Sequence, residues 1–317
     1  MQKTNIWLDS DPGIDDAVAF AMAAASSDRL NLVGITAVSG NQSSDRVTRN
    51  ALALSSMLGM GDVPVVRGAR KPLLKQVADA ADFHGKSGLG DFIPPVTDKQ
   101  VADTTNGLLY MYRRIMALPA GELITLVPTG PLTDIALLIK AFPEVITRIE
   151  RIVLMGGSSI GGNVSERAEF NIWADPEAAQ IVMHSGIPLV MCGLDITLKC
   201  GLTKPQIASL LASDNFILNA YGQMLSFYAN VPGNEEVPLV AIHDAVTIIY
   251  LTNPELFTGK FVTVEVDCSN GDGNGETACR DVTIDKDYAV FMLNDVNLTA
   301  FQDVLLAKLN LLATQDK

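Results

Sequence analysis

Short unbroken apolar runs alternate along the chain with longer segments whose apolar positions recur at helical spacing. Residues 6–8, 30–38, 64–66, 123–127, 149–155 and 187–191 read as strands, several of them continuously apolar in the way strands buried on both faces are. Between them, residues 16–25, 43–58 and 104–118 read as helices. The last carries Leu108, Leu109, Met111, Tyr112, Ile115 and Met116 on one face. Pro131 is expected to open a further helix as a first-turn proline. Asp175-Pro176-Glu177 is expected to start another, with Asp175 as N-cap. Strand-then-helix repetition of this kind predicts an α/β domain with a mostly parallel central sheet flanked by helices.

After Leu202 the pattern changes. Residues 204–211, 216–228 and 243–251 look helical, 261–267 and 278–285 look like strands, and 297–312 forms a closing amphipathic helix. The glycine-rich stretch 269–275 reads as a hairpin connection, because the ligand spacing of a calcium-binding loop is not met. No low-complexity linker and no internal repeat interrupts the chain. A single domain over 1–317 is expected: an α/β core over 1–200, a helical region over 202–251, and a C-terminal hairpin and helix over 260–317.

The 317 residues are 48% apolar and 19% charged, enough to bury a large core, and the net charge is −13. A nucleic-acid polymer is not expected as a partner, since phosphate binding needs clustered Lys and Arg and the chain has no dense basic run, Arg113-Arg114 being an isolated pair. The longest apolar stretch, 17–25, is too short to cross a bilayer, and residues 1–5 carry no apolar run of an export signal. The expected compartment is the cytoplasm, with no membrane partner. Cys192, Cys200, Cys268 and Cys279 lack zinc-site spacing and are expected as free thiols, with a hairpin disulfide between Cys268 and Cys279 as the less favoured alternative.

The chemistry concentrates where strands end. Asp9-Ser10-Asp11-Pro12-Gly13-Ile14-Asp15-Asp16 places four carboxylates directly after the first apolar run. Such charges repel unless a cation sits among them, and an oxygen-rich cage suits Ca²⁺ or Mg²⁺. Ser39-Gly40-Asn41, Pro128-Thr129-Gly130-Pro131, Met155-Gly156-Gly157, Gly162-Asn163-Val164, Glu169-Phe170-Asn171 and His243-Asp244 also follow strands or open helices. In a parallel sheet the carboxyl ends share one edge, so these motifs converge on one crevice. Glu169 and Asn171 would share a face if the chain is extended there. Gly156–Gly162 is no phosphate loop, for it carries no Lys.

These motifs, together with Phe83-His84-Gly85, resemble the inosine-uridine type nucleoside hydrolases, and Met191-Cys192-Gly193-Leu194-Asp195-Ile196-Thr197 is similar to the broad-specificity ribonucleoside hydrolases among them. The resemblance runs from residue 9 to residue 244. It implies the nucleoside hydrolase fold, a Rossmann-like, mostly parallel sheet, and hydrolysis of the N-glycosidic bond of ribonucleosides to free base and ribose. It implies a Ca²⁺ cofactor held by Asp11, Asp16, Asp244 and the backbone carbonyl of Thr129, with Asp11 also the general base and His243 the acid at the leaving base. Asp15, Asn41, His84, Met155, Asn163, Glu169, Phe170 and Asn171 are implied as substrate-binding residues. The region 202–251 becomes the base pocket and lid, with Gln223, Phe227 and Tyr228 as candidate base contacts, and a homo-oligomer, dimer or tetramer, is implied as well. Asp9 is left out of the ligand set as a supporting or loop-capping group, and His184, at a helix end, has no catalytic role.

Two other readings compete. A haloacid-dehalogenase-like phosphatase also opens with Asp-x-Asp after its first strand, but Gly13 stands where that pattern has Thr or Val, and Asp15-Asp16 would have no task. A non-catalytic, calcium-dependent nucleoside-binding protein would need the carboxylates but not His243.

Overall fold

The computed structural model describes residues 3–77, 80–231, 234, 237–282 and 289–315. β1 (Thr4–Ser10) is buried almost throughout and turns through Pro12 into α1 (Ile14–Ala24). The helix begins before the expected Asp16. Gly13 is its N-cap, and the Gly13 N–H donates to Asp16 Oδ2 at 2.9 Å, so the carboxylate of the third helical residue, in the first turn, caps the helix from inside. β2 (Leu30–Ala37), α2 (Ser44–Met57) and β3 (Val65–Arg67) follow, then α3 (Ala81–His84) and α4 (Gly107–Met116), which is capped by Asn106. β4 (Ile124–Pro128), α5 (Thr133–Ala141) and β5 (Ile149–Met155) continue the alternation.

Two expectations change here. Pro131 does not open α5, whose N-cap is Leu132; the proline ring instead packs in the turn beside Gly40 and Asp11. Glu169 and Asn171 do not alternate along an extended segment. Glu169 is the N-cap of the short helix α6 (Phe170–Ala174), because its carboxylate accepts the N–H groups of Asn171 and Ile172. Asp175 caps α7 (Pro176–Met183) as expected, with Pro176 in the first turn.

β6 (Leu189–Cys192), α8 (Leu194–Thr197), β7 (Gly201–Leu202), α9 (Lys204–Leu211), α10 (Phe216–Tyr228), β8 (Val240–Ala241) and α11 (Ala245–Thr252) form the second half of the core. β9 (Phe257–Val266), β10 (Thr277–Asp281), β11 (Val290–Val296) and α12 (Leu298–Gln315) close the chain. Residues 283–285 of the expected strand 278–285 lie outside the described residues.

The main sheet has nine strands in the order β10-β9-β11-β6-β5-β4-β1-β2-β3. Pairing is parallel from β3 through to β11, and only β9 runs against its neighbours. The order 3-2-1-4-5-6 reverses direction between β1 and β4, where open α/β sheets carry their ligand crevices. Alternate β1 side chains feed opposite layers. Ile6 and Leu8 belong to the apolar layer that includes α1 and α9–α12, whereas Trp7 belongs to the layer that includes α4, α5 and α7. Trp7 also donates its indole N–H to Thr36 Oγ1 at 2.7 Å.

All four cysteines are free. Cys279 pairs with Val264 across the β9–β10 ladder, four residues from Cys268. At about 3.4 Å per strand residue that offset exceeds the roughly 7 Å limit between bridged Cα atoms. No helix among the described residues is long and apolar enough to cross a membrane.

Candidate active site

A crevice of about 330 Å³ opens at the carboxyl ends of β1, β2, β4 and β5. Asp15, Asn41, His84, Thr129, Met155, Asn163, Glu169, Phe170, Asn171, His243 and Asp244 all line it, so the residues implied for the substrate meet in one place. Asp11 and Asp16 lie fully buried beneath its floor.

The floor is acidic. Asp15, Asp16 and Asp244 each place a ligand oxygen within 4.8 Å of the other two. Asp16 is held by four donors: Ser10 Oγ at 2.5 Å, Thr129 Oγ1 at 2.9 Å, the Gly13 N–H at 2.9 Å and Asn41 Nδ2 at 3.1 Å. Asp11 is held by one. Its Oδ2 accepts the Asn41 N–H at 2.6 Å, while Oδ1 is buried with no partner, as is Asp15 Oδ1. Asp11 therefore stands beside the compact trio of acids rather than within it, between two glycine backbones. A Cβ on Gly40 would meet its Oδ2 at 2.0 Å, and one on Gly130 its Oδ1 at 2.8 Å.

Burial raises the pKa of Asp11 well above the usual carboxylate range, and the neighbouring Asp16 charge adds to it. Burial does the same for Asp244, helped by Asp15, Asp16 and Asp11. Among the described residues, no Lys or Arg lines the crevice to offset these charges. Asp15, Asp16 and Asp244 form a buried acidic cluster that could hold a metal ion. The Thr129 carbonyl lies at the same floor, where it accepts from Asn171 Nδ2 at 2.9 Å. Asp9 does not join the cluster. It faces Asp134, carboxyl to carboxyl, and burial followed by the Asp134 charge raises its pKa. Asp134 in turn accepts the Ala69 N–H, and its pKa rises to about 6.

The amides are oriented by what they already bind. Asn163 Oδ1 accepts the Phe170 N–H, which leaves its NH₂ for a ligand. Asn171 and Asn41 commit their NH₂ groups to protein acceptors, which leaves carbonyl oxygens for ligand hydroxyls. Met155 Sδ packs 3.3 Å from Asn171 Nδ2. Glu169 accepts three N–H groups, from Gly157 at 2.9 Å, Asn171 at 2.9 Å and Ile172 at 3.1 Å. Burial outweighs these bonds and lifts its pKa to about 7.

At the outer end, His84 Nδ1 accepts the Ile14 N–H at 3.1 Å and its ring stacks on Tyr228, with centroids 5.7 Å apart. His243 Nδ1 lies 2.8 Å from Thr197 Oγ1, and burial lowers its pKa. Of the three candidate base contacts on α10, only Tyr228 reaches the crevice; Gln223 and Phe227 line a separate surface cavity with Asp82 and Asp91. Pro232 and Gly233 of the expected lid lie outside the described residues. His184 is at the C-cap of α7, away from the site. Phe83 and Val164, quoted in motifs but given no site role, and Leu198, not singled out at all, are exposed apolar side chains lining the crevice, and Thr197, likewise given no role, lies behind His243. Exposure of a large apolar side chain is the signal for Phe83, Val164 and Leu198, and it exists only in three dimensions.

The sequence profile of the family described as inosine-uridine preferring nucleoside hydrolase matches residues 6–303. The chain is 39% identical over 307 residues to the pyrimidine-specific ribonucleoside hydrolase RihA of Shewanella woodyi, covering 95% of this chain and 96% of that one. Among solved structures, a purine-preferring ribonucleoside hydrolase from Gardnerella vaginalis superposes with a TM-score of 0.90 at 29% identity, covering 98% of this chain and all of its own. A plant nucleoside hydrolase superposes with a TM-score of 0.89 at 29% identity, over 97% of this chain and 99% of its own. A crevice floored by carboxylates and walled by amides, on a fold and sequence shared across their full length with these enzymes, makes the chain a member of the inosine-uridine preferring nucleoside hydrolase family, an N-glycosidase that splits ribonucleosides into base and ribose.

Proposed function

We propose that this ribonucleoside hydrolase depends on Ca²⁺ and prefers pyrimidine nucleosides. The observation that carries the first half is the buried acid cluster, with donor-free oxygens on Asp11 and Asp15 and, among the described residues, no Lys or Arg lining the crevice. Asp11, Asp16, Asp244 and the Thr129 carbonyl would hold the ion, an all-oxygen set suited to calcium. When bound, the ion supplies positive charge and coordination sites for hydroxyl groups and water.

The chain's own residues divide the remaining work. Asp11 takes a proton from the attacking water at Oδ1, the oxygen without a protein donor. Asp15, Asn41, Asn163 and Asn171 bind the sugar hydroxyls, donors and acceptors being fixed by their existing bonds. Glu169, anchored by three N–H groups, places negative charge beside the sugar as positive charge develops there. Met155 and Phe170 supply apolar contact. His243 meets the departing base, with His84 and Tyr228 stacked beside it.

Pyrimidine preference is supported by the relatives at 38–41% identity, which are named as pyrimidine-specific, whereas the purine-preferring neighbour is 29% identical. Reducing-sugar release from uridine, cytidine, inosine, adenosine and their 2′-deoxy forms tests both halves. Uridine and cytidine are expected to exceed the purine nucleosides at least about tenfold in kcat/KM, with the deoxy forms poor. Chelation is expected to abolish turnover and Ca²⁺ to restore it. Faster purine turnover refutes the preference, and full activity after exhaustive chelation refutes the ion.

A further inference from the structure

His243 sits in the turn between β8 and α11, one residue before Asp244. Its Nδ1 lies 2.8 Å from the hydroxyl of Thr197, the last residue of α8. Thr197 is fully buried and fixed at both main-chain ends, its N–H donating to the Gly193 carbonyl and its own carbonyl accepting from Cys200. α8 is pinned in turn. Asp195 accepts both the hydroxyl and the N–H of Ser159, and the Leu194 N–H donates to the Gly157 carbonyl at 2.9 Å. The loop after β5 and the His243 ring thus share one small, rigid support.

A threonine hydroxyl has a single proton to donate. Among the described residues, no acceptor other than His243 Nδ1 bonds to the Thr197 hydroxyl. A buried hydroxyl left without an acceptor is destabilising, so the hydroxyl donates to Nδ1. The ring nitrogen that accepts cannot carry the proton, and the neutral ring holds it on Nε2. Nε2 bonds to no protein group among the described residues, and His243 lines the crevice.

We propose that Thr197 is a positioning residue that sets the tautomer of His243, so that the ring presents Nε2–H to the departing base. This deepens the functional reading above and rests on its assignment of His243 to the leaving base. As the glycosidic bond breaks, its electron pair leaves with the base, while water adds to the sugar carbon and gives its proton to Asp11. In a pyrimidine the departing charge spreads onto the carbonyl oxygen beside the glycosidic nitrogen. An N–H donor aimed there stabilises that charge without transferring its proton.

Three variants, Thr197→Val, Thr197→Ser and His243→Ala, are compared on uridine and on 4-nitrophenyl riboside, whose leaving group needs no assistance. Valine keeps the shape and deletes the hydroxyl. It is expected to lower kcat for uridine about tenfold with KM within about twofold, to spare the aryl riboside, and to be rescued by serine. The ¹⁵N spectrum of the parent, which holds only three histidines, is expected to show His243 unprotonated at Nδ1 and protonated at Nε2. Uridine turnover in Thr197→Val within twofold of the parent, alongside an impaired His243→Ala, overturns the proposal and leaves the wider reading intact. Equal losses on both substrates also overturn it, since they mark a merely structural threonine. Unimpaired uridine turnover in His243→Ala overturns the assignment beneath it. Should the valine protein fail to fold, the parent spectrum decides: a protonated Nδ1 ends the proposal.

Discussion

Alanine at Gly40 is expected to disable the enzyme while leaving it folded. An added Cβ would lie 2.0 Å from Asp11 Oδ2 and 2.7 Å from Pro131 Cδ. Gly40 does not use left-handed backbone, so the conflict is steric alone. Real Cβ contacts open to 3.0 Å or more, so the carboxylate must retreat by about 1 Å. The far side offers little room, because Gly130 already abuts Oδ1. Retreat also breaks the 2.6 Å bond from the Asn41 N–H. A charge-assisted bond of this kind contributes about 2 kcal/mol, and replacing glycine returns about 0.5 kcal/mol through the unfolded chain. The melting temperature should therefore fall by only a few degrees. Catalysis should suffer far more, since a reacting group misplaced by about 1 Å costs roughly 100-fold. Ribose release from saturating uridine, read beside a thermal melt, separates the two effects. Gly61→Ala is the control, for nothing lies within 4 Å of its Cβ and both readings should stay at the parent's values. Activity of Gly40→Ala within fivefold of the parent refutes the argument that this gap holds Asp11 in its working position.

Asp11→Asn is expected to lower kcat at least about 1,000-fold, while the metal-free protein melts at the same temperature or higher because one buried like charge is gone; turnover within twofold of the parent would remove the general base. Stability should also depend on pH through Glu169, whose pKa rises on folding from 4.5 to about 7. The native state keeps its proton while the unfolded chain ionises, so this group's contribution is full below about pH 4.5 and is lost as pH rises toward 7. Urea melts of the metal-free protein should show the parent losing about 3 kcal/mol more than Glu169→Gln between pH 4.5 and 8, and identical pH slopes would contradict the burial argument.

The sheet was legible in the sequence because strands buried on both faces spell themselves as unbroken apolar runs, and β4 and β5 fall within a residue of their expected positions. The acid cluster was legible because four carboxylates within eight residues directly after such a run are more than a helix start alone needs. What stayed hidden depends on contacts distant in sequence. Glu169 caps a helix rather than joining an extended strip because Gly157, at the end of another strand, supplies a third N–H to its carboxylate. Gln223 and Phe227 share one face of α10 and Tyr228 lies on the next, yet periodicity alone does not say which face meets the crevice. Thr197 was legible as the end of the Met191–Thr197 motif, but its place behind His243 was not, since a hydroxyl there looks the same whether it supports a histidine or nothing.

Asp244 enters the floor from the N-terminus of α11, which packs on α1, more than two hundred residues downstream of Asp16. A ribosome releases these acids in order, and the parallel core through β6 emerges before the last of them. If Asp244 helps hold the ion as proposed, the growing polypeptide is expected to stay inert toward nucleosides until α11 has emerged and seated, and a product terminated upstream of that helix is expected to be silent.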